Sequence, residues 1–265
     1  MYKDYHIHTF RCKHATGDVA DYVEAAIKKN VSVLGFSDHT PLPDGKWPNI
    51  RMALAELESY VLAIEEAQKK YRSAPGPELT ILKGMECEYA DEYRSFYQEE
   101  LLGKWGLDYL IAAGHFFPCD GSWIGAHSYI KGKKELFAYT DHLIAAMASG
   151  LFTFVAHPDL FGHSYLPWDE NAIACSHAIL QAASDLRIPL EINGNGFRQP
   201  MINAEDKLRY VYPLEPFWEL AAGYEVLVII NSDAHTPEDV LANTSDAFSL
   251  AEKYRLKLAD LSSLA

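Results

Sequence analysis

The chain is short of positive charge. Its 23 lysines and arginines face 37 aspartates and glutamates, for a formal net charge of −14. That balance argues against a basic face able to neutralise a run of phosphates, and so against a grip on nucleic acid. A small anion remains admissible, because a local cluster of bound cations can reverse the field of an acidic protein. Paired cysteines are also lacking. Cys12, Cys87, Cys119 and Cys175 are scattered, with no Cys-x-x-Cys spacing, which predicts free thiols in a reducing compartment. Cys12 reads as a small buried residue, the usual fate of a free cysteine. No run of about 18 apolar residues and no secretory leader is evident, so the expectation is a cytoplasmic protein without a membrane span. Neither Gly-x-Gly-x-x-Gly nor a Walker loop occurs, which argues against a nucleotide cofactor. No repeat with a period of roughly 20–50 residues, low-complexity stretch or linker divides the chain. Residues 1–265 read as one domain, with 49% hydrophobic residues to build its core.

What the chain does have is histidine, eleven in all. The opening Asp4-Tyr5-His6-Ile7-His8-Thr9 sits at the end of an apolar run, Tyr2 to Ile7, too short for a helix and suited to a buried strand. Side chains alternate faces along a strand, so His6 and His8 point the same way and can reach one metal ion. His14, in the loop that follows, can turn back over the same opening. A His-x-His by itself is equally compatible with two structural histidines. The later strands give it weight.

Apolar runs predict further strands at 31–37, 79–85, 107–113, 151–156, 188–192 and 225–230. Helical spacing predicts helices near 18–30, 49–71, 91–105, 133–149, 169–185, 214–222 and 237–254. Asp18 is placed to cap the first helix. Pro75-Gly76-Pro77 should break the second, and Gly150 should stop the fourth. Irregular loops are expected at Pro41–Pro48 and Phe116–Lys131. Seven strands alternating with helices imply parallel strands and right-handed crossovers. Near-continuous apolar strands imply cover on both faces. A seven-stranded barrel is the first choice and an open doubly wound sheet the competitor, which would gather ligands from fewer strand ends.

Polar residues collect where those strands end: His6, His8, His14, Asp38, His39, Glu86, His115, His157, Asn193, Asp233 and His235. Imidazoles with a few carboxylates suit zinc, iron or manganese, and this set exceeds what one ion needs. Two ions sharing a carboxylate are a recurrent hydrolytic device, and these ligands would suffice for three.

The motifs His6-x-His8, Ser37-Asp38-His39, Gly84-Met85-Glu86, His115, His157-Pro158 and Ser232-Asp233-Ala234-His235 resemble, in order, those of the PHP (polymerase and histidinol phosphatase) superfamily. The stretches Asp4 to Thr9 and Gly35 to Leu42 are most similar to its histidinol-phosphatase branch. The resemblance covers about residues 2 to 240. It implies a distorted seven-stranded (β/α) barrel with three divalent metal ions. The first would take His6, His8, Glu86 and Asp233. The second would take Glu86, His115 and His157, and the third His14, His39 and His235. Asp38 would orient a ligand. Glu86, Asp233 and His235 would serve catalysis through that centre.

A strongly positive pocket in an acidic protein suits a dianion such as a phosphate monoester. Hydroxide held by the ions would attack phosphorus without a side-chain nucleophile. Arg198, in Asn193-Gly-Asn-Gly-Phe-Arg198, matches an arginine that grips substrate phosphate in that branch, and Gly194 and Gly196 would let the backbone approach a ligand. The branch commonly brings a second basic ligand after His157-Pro158-Asp159. Here no Arg or Lys follows, and His163 is the candidate substitute. His127, His142 and His177 read as structural or solvent-facing, and Phe116, Phe117 and Trp123 as core or pocket wall. The implied substrate is histidinol phosphate. The alternatives are a nucleotide, a sugar phosphate, a phosphotyrosyl peptide, or a metal-bearing scaffold without turnover.

Overall fold

Seven apolar runs form parallel strands in a computed structural model that describes residues 2–71 and 79–264. The expected break at Pro75-Gly76-Pro77 lies outside the described residues. The strands are β1 (Tyr2–Ile7), β2 (Val31–Phe36), β3 (Thr80–Glu88), β4 (Tyr109–Ala113), β5 (Phe154–Val155), β6 (Leu190–Asn193) and β7 (Leu227–Asn231). An eighth, β8 (Lys257–Leu258), comes from the tail. The expected count of seven is thus one short, because two tail residues add to the near end of β7, where Leu227 pairs Lys257 and Val228 pairs Leu258.

The strands lie in sequence order within one sheet, every neighbouring pair parallel. A doubly wound sheet would reverse its order midway, so that competitor is set aside. The sheet curls until its ends meet. Ile7 bridges Ala234, His8 N donates to Ala234 O at 2.9 Å, and Ala234 N donates to His6 O at 3.2 Å. That contact sits beyond the carboxyl end of β7. Further down, the edges stay apart around a narrow cleft lined by Tyr5, Ile229, Leu258 and Leu261.

Strand parity sorts the side chains. On the concave face Tyr5, Val33, Leu82, Tyr109, Ile111, Phe154, Ala156 and Ile229 form an inner cluster. The opposite parity, with Leu34, Met85, Leu110, Val155, Ile192 and Ile230, packs against the helices. The inner parity continues along β3 from Leu82 through Gly84 to Glu86 and Glu88, and along β7 from Ile229 through Asn231 to Asp233. Each strand therefore delivers a polar side chain into the mouth above the inner cluster. β1 departs from strict alternation. Tyr5 is inner while Ile7 packs outward, and the pairing register shifts between Asp4 and Ile7.

Helices cover the outer face. Asp18 caps the first, Val19–Lys28, by accepting from Val19 N at 2.8 Å. The expected helix over 91–105 is a 3-10 turn at Asp91–Tyr93 and a π-helix at Phe96–Lys104. The last expected helix splits into Pro237–Asp239 and Thr244–Lys253, because Leu241 and Asn243 adopt φ of 61° and 57° between them. The region 116–131 is not irregular. It folds as a hairpin, Phe116–Cys119 with Ser122–Gly125, followed by a short helix at Ala126–Tyr129. Among the described residues, no helix is long and apolar enough to cross a membrane.

Candidate metal centre

The mouth of the sheet centres on Glu86, which is 1% exposed. Its strand extends beside β2: Glu86 N donates to Asp38 O at 3.0 Å and Thr40 N to Glu86 O at 2.9 Å. That pairing sets His39 against the carboxylate, with Nδ1 2.8 Å from Oε2. Four more rings converge on it. His157 Nε2 lies 3.0 Å away, His115 Nε2 3.4 Å, His6 Nε2 3.5 Å and His8 Nε2 3.6 Å. Asp233 Oδ1 adds a second anion, 3.1 Å from His8 Nε2, 3.6 Å from His6 Nε2 and 3.4 Å from His235 Nδ1. His157 and Asp233 hold left-handed backbones, φ 31° and 51°. Such conformations cluster at sites where geometry is imposed by function.

The third expected group is looser. His14 stacks on His39 at 5.2 Å and on His235 at 4.9 Å between ring centroids. Ring atoms of His8, His39 and His235 lie within 4.8 Å of one another, as do those of His14 and His235 with the Cys12 sulfur. Cys12 is wholly buried. Asp38 receives Thr9 N at 3.1 Å and the Thr9 hydroxyl at 2.5 Å, and its free oxygen stands 3.6 Å from His8 Nδ1.

Many of these polar atoms lack a hydrogen-bond partner although buried. They include His6 Nε2, both ring nitrogens of His8, His39 Nδ1, Glu86 Oε2 and Asp233 Oδ1. Orphaned polar atoms are costly in an interior and call for an explanation such as an ion. The donor set, imidazole nitrogen with carboxylate oxygen, is what divalent metals take.

Electrostatics divides the rings into two kinds. Burial disfavours charge on His6, yet Glu191, Asp233 and Glu86 outweigh it and hold its pKa well above the ordinary value. For His8 burial is likewise overcome, by bonds to Asp233 and Asp38, and the pKa rises to about 9. His157 is raised in the same way by Glu86. Burial, with help from the neighbouring His8, drives His235 down to about 3 and lowers His14. Burial also takes His39 well below its usual range, against Glu86. Glu86 and Asp233 are held well below the carboxylate range because the imidazoles around them outweigh the burial that opposes their charge.

Behind the rings stand residues that sequence reading missed. Glu191 is fully buried, 2.9 Å from His6 Nδ1, and accepts from His157 N at 3.1 Å and from the Asn193 amide at 2.7 Å. Glu88 sits 3.0 Å from His115 Nδ1. Holding the far nitrogen of a ligand ring fixes its tautomer and direction. Their signal was present: a lone glutamate inside Leu190-Glu191-Ile192, and a second one two positions after Glu86.

A cleft of about 460 Å³ opens over the centre, lined in part by His14, His39, His115, His157, Asp233 and His235. His163 lines it too, with Nδ1 2.9 Å from His127 O. His127 was expected to be structural or solvent-facing. It lines the cleft instead, its ring parallel to that of His115 at 5.9 Å. Arg198 departs from expectation in the other direction. It does not line the cleft; its guanidinium donates to Ser232 O at 2.9 Å and Asp233 O at 3.0 Å. Gly194 and Gly196 serve protein packing, since a Cβ on Gly196 would lie 2.4 Å from Tyr212 O and one on Gly194 2.6 Å from Ala242 O. Phe116 is cleft wall and Phe117 is core. His142 is buried against Ala113 O, and His177 is exposed beside the Tyr224 hydroxyl.

Comparison with known proteins identifies relatives of this chain. Residues 4–195 match the PHP domain. A protein of Deinococcus radiodurans named "Probable histidinol-phosphatase" is 30% identical over 257 residues, covering 92% of this chain and 90% of its own. The histidinol-phosphatase of Bacillus subtilis is 33% identical over 133 residues, 46% of this chain and 47% of its own. The crystal structure of histidinol phosphate phosphatase from Lactococcus lactis, complexed with zinc, L-histidinol and phosphate, superposes with a TM-score of 0.73 at 18% identity, covering 99% of this chain and 97% of that one. With its motifs in order, its fold shared and most of its length matched, the chain belongs to the PHP domain family.

Proposed function

We propose that this protein is a metal-dependent phosphomonoesterase that hydrolyses histidinol phosphate to histidinol and phosphate. The observation that carries the reading is the meeting of five imidazoles on one buried carboxylate, Glu86, with three of those rings, His39, His115 and His157, lining an open cleft. The relatives named as histidinol-phosphatases give the substrate. In this reading His6, His8, Glu86 and Asp233 hold one divalent ion, Glu86, His115 and His157 a second, and His14, His39 and His235 a third, with zinc, iron or manganese as the metal. Such ions would activate water and neutralise the charge of a phosphate monoester.

The chain's own groups supply the rest. Glu86 and Asp233, ionised, provide the anionic oxygens. His14, His39 and His235, kept neutral by burial and by neighbouring rings, present free lone pairs. Glu191 aims the His6 ring and holds the backbone of His157, and Glu88 aims the His115 ring. The substrate would lie among His127, His163, Asn195 and Gln199 on the cleft wall. Arg198 would act by holding the carbonyls of the Ser232–Asp233 turn, which sets the direction of the Asp233 carboxylate.

Phosphate release is the test. Activity on histidinol phosphate should depend on added zinc or manganese and vanish with a chelator. A panel with nucleotides, sugar phosphates and a phosphotyrosyl peptide decides the substrate: a preference for any of these over histidinol phosphate would overturn the named substrate. Failure to hydrolyse every ester, metal-loaded, would overturn the enzymatic reading.

A further inference from the structure

Arg51 lies outside every motif recognised above and follows the proline-rich loop at 41–48. It is 1% exposed, yet it forms part of the cleft wall beside His115 and Phe116. Among the described residues lining the cleft it is the only arginine or lysine. Its guanidinium donates through Nη2 to Glu88 Oε2 at 2.5 Å and through Nη1 to Thr40 O at 3.4 Å. The other oxygen of Glu88 is the one 3.0 Å from His115 Nδ1, while His115 Nε2 faces Glu86 at 3.4 Å. A continuous chain therefore runs from Arg51 through Glu88 and His115 to Glu86.

The loop is built to keep Arg51 there. Trp47 takes a left-handed backbone, φ 56°, and stacks on Phe116 with ring centroids 4.1 Å apart. Arg51 lies against the Trp47 ring, its guanidinium carbon 5.1 Å from the centroid. The loop after β2 and the hairpin after β4 are thus joined by one aromatic stack, and the cation is packed between that stack and Glu88. A fully buried carboxylate such as Glu88 is costly without a charged partner. The planar fork of an arginine fixes both its position and its direction.

We propose that Arg51 is a positioning residue for the metal centre. By anchoring Glu88 it holds the ring of His115 with Nδ1 committed and Nε2 free toward Glu86. The proposal rests on the reading that His115 holds an ion. It assigns to the loop at 41–51 a part in building the site, not only in covering it.

The test compares wild type with Arg51→Lys, Arg51→Met, Glu88→Gln and His115→Asn. Zinc affinity is measured by chelator competition, and His115 by ring-nitrogen NMR of the metal-free protein. The expected wild-type signature is a proton on Nδ1 held in a hydrogen bond to Glu88. Arg51→Met and Glu88→Gln should lose that signature and weaken by about 10–100-fold the zinc that His115 would hold, as for other residues behind metal ligands. Turnover should fall while KM holds. Arg51→Lys, which keeps the charge and loses the fork, should fall between, and it keeps the test alive if the neutral variant does not fold. Unchanged zinc affinity and an unchanged Nδ1 hydrogen-bond signature in Arg51→Lys and Arg51→Met would overturn the proposal. A raised KM with intact zinc binding would also overturn it, by making Arg51 a substrate contact. If His115→Asn loses no zinc, the reading of the centre fails instead, whatever Arg51 does.

Discussion

His157 and Glu86 stand 71 positions apart in the chain and 3.0 Å apart in the fold. The ring comes from the end of β5 and the carboxylate from β3, with β4 between them in the sheet. Glu86 is thereby shared by rings on both sides of it. Glu86→Gln keeps the shape and removes the charge. Metal content should drop by at least one ion per chain, and turnover should fall by about 10³-fold, the scale seen when a principal transition-state stabiliser is removed. Elemental analysis with steady-state kinetics checks both, and a metal-replete, active variant would refute the shared role.

Metal loading should release protons. In the metal-free protein the carboxylates hold the pKa of His6 well above the usual value and that of His8 at about 9, so both rings carry protons at neutral pH. A ligand ring must be deprotonated to bind an ion. Calorimetric titration with zinc at pH 7, in two buffers of different ionisation enthalpy, should report protons expelled on binding. The number should decline as pH rises toward and past about 9, where His8 is already neutral. Equal heats in the two buffers at pH 7 would count against this charge distribution.

Glu191 touches His6, the backbone of His157, Asn193 and Asn231 at once. Glu191→Gln should therefore loosen two ligand rings together. The expectation is a loss of about 10–100-fold in metal affinity, with a lower melting temperature in the metal-free protein, because amide hydrogens would oppose donors that now find acceptors. Chelator competition and thermal unfolding measure the two effects.

Arg198 separates two roles by kinetics. Clasping the Ser232 and Asp233 carbonyls, it should act on turnover through the metal ligands. Arg198→Ala should lower kcat by about tenfold, the loss of one or two charge-assisted hydrogen bonds, and should weaken metal retention. Inhibition by inorganic phosphate should stay at the wild-type constant. A large rise in that constant at full metal occupancy would restore the phosphate-gripping role expected from the sequence.

Much of the architecture was legible before folding. Short apolar runs ending in His or acidic residues located seven strands and nearly every residue around Glu86, because ligands at strand ends need no knowledge of the sheet's curvature. Arg198 turns toward backbone carbonyls for a physical reason. Its position after β6 is readable, but the direction of a long flexible side chain depends on which carbonyls the neighbouring turn leaves free. His127 was underestimated because the hairpin at 116–125 and the helix after it carry it back over His115, and Gly-rich aromatic sequence does not announce that return. The eighth strand was missed because two exposed residues carry no periodicity.

By itself the sequence determined which side chains of β3 and β7 face the mouth, because alternation along a regular strand is a local property of the backbone. Only the tertiary structure decided which of them meet. The curl that brings Ala234 back to Ile7 and carries Asn231 to the amide of Tyr5 at 2.8 Å sums small twists over the whole sheet. From that sum come the five rings on Glu86 and the buried partners Glu191, Glu88 and Arg51 behind them. No local pattern encodes those pairings, since each joins elements whose separation in the chain says nothing about their distance in space.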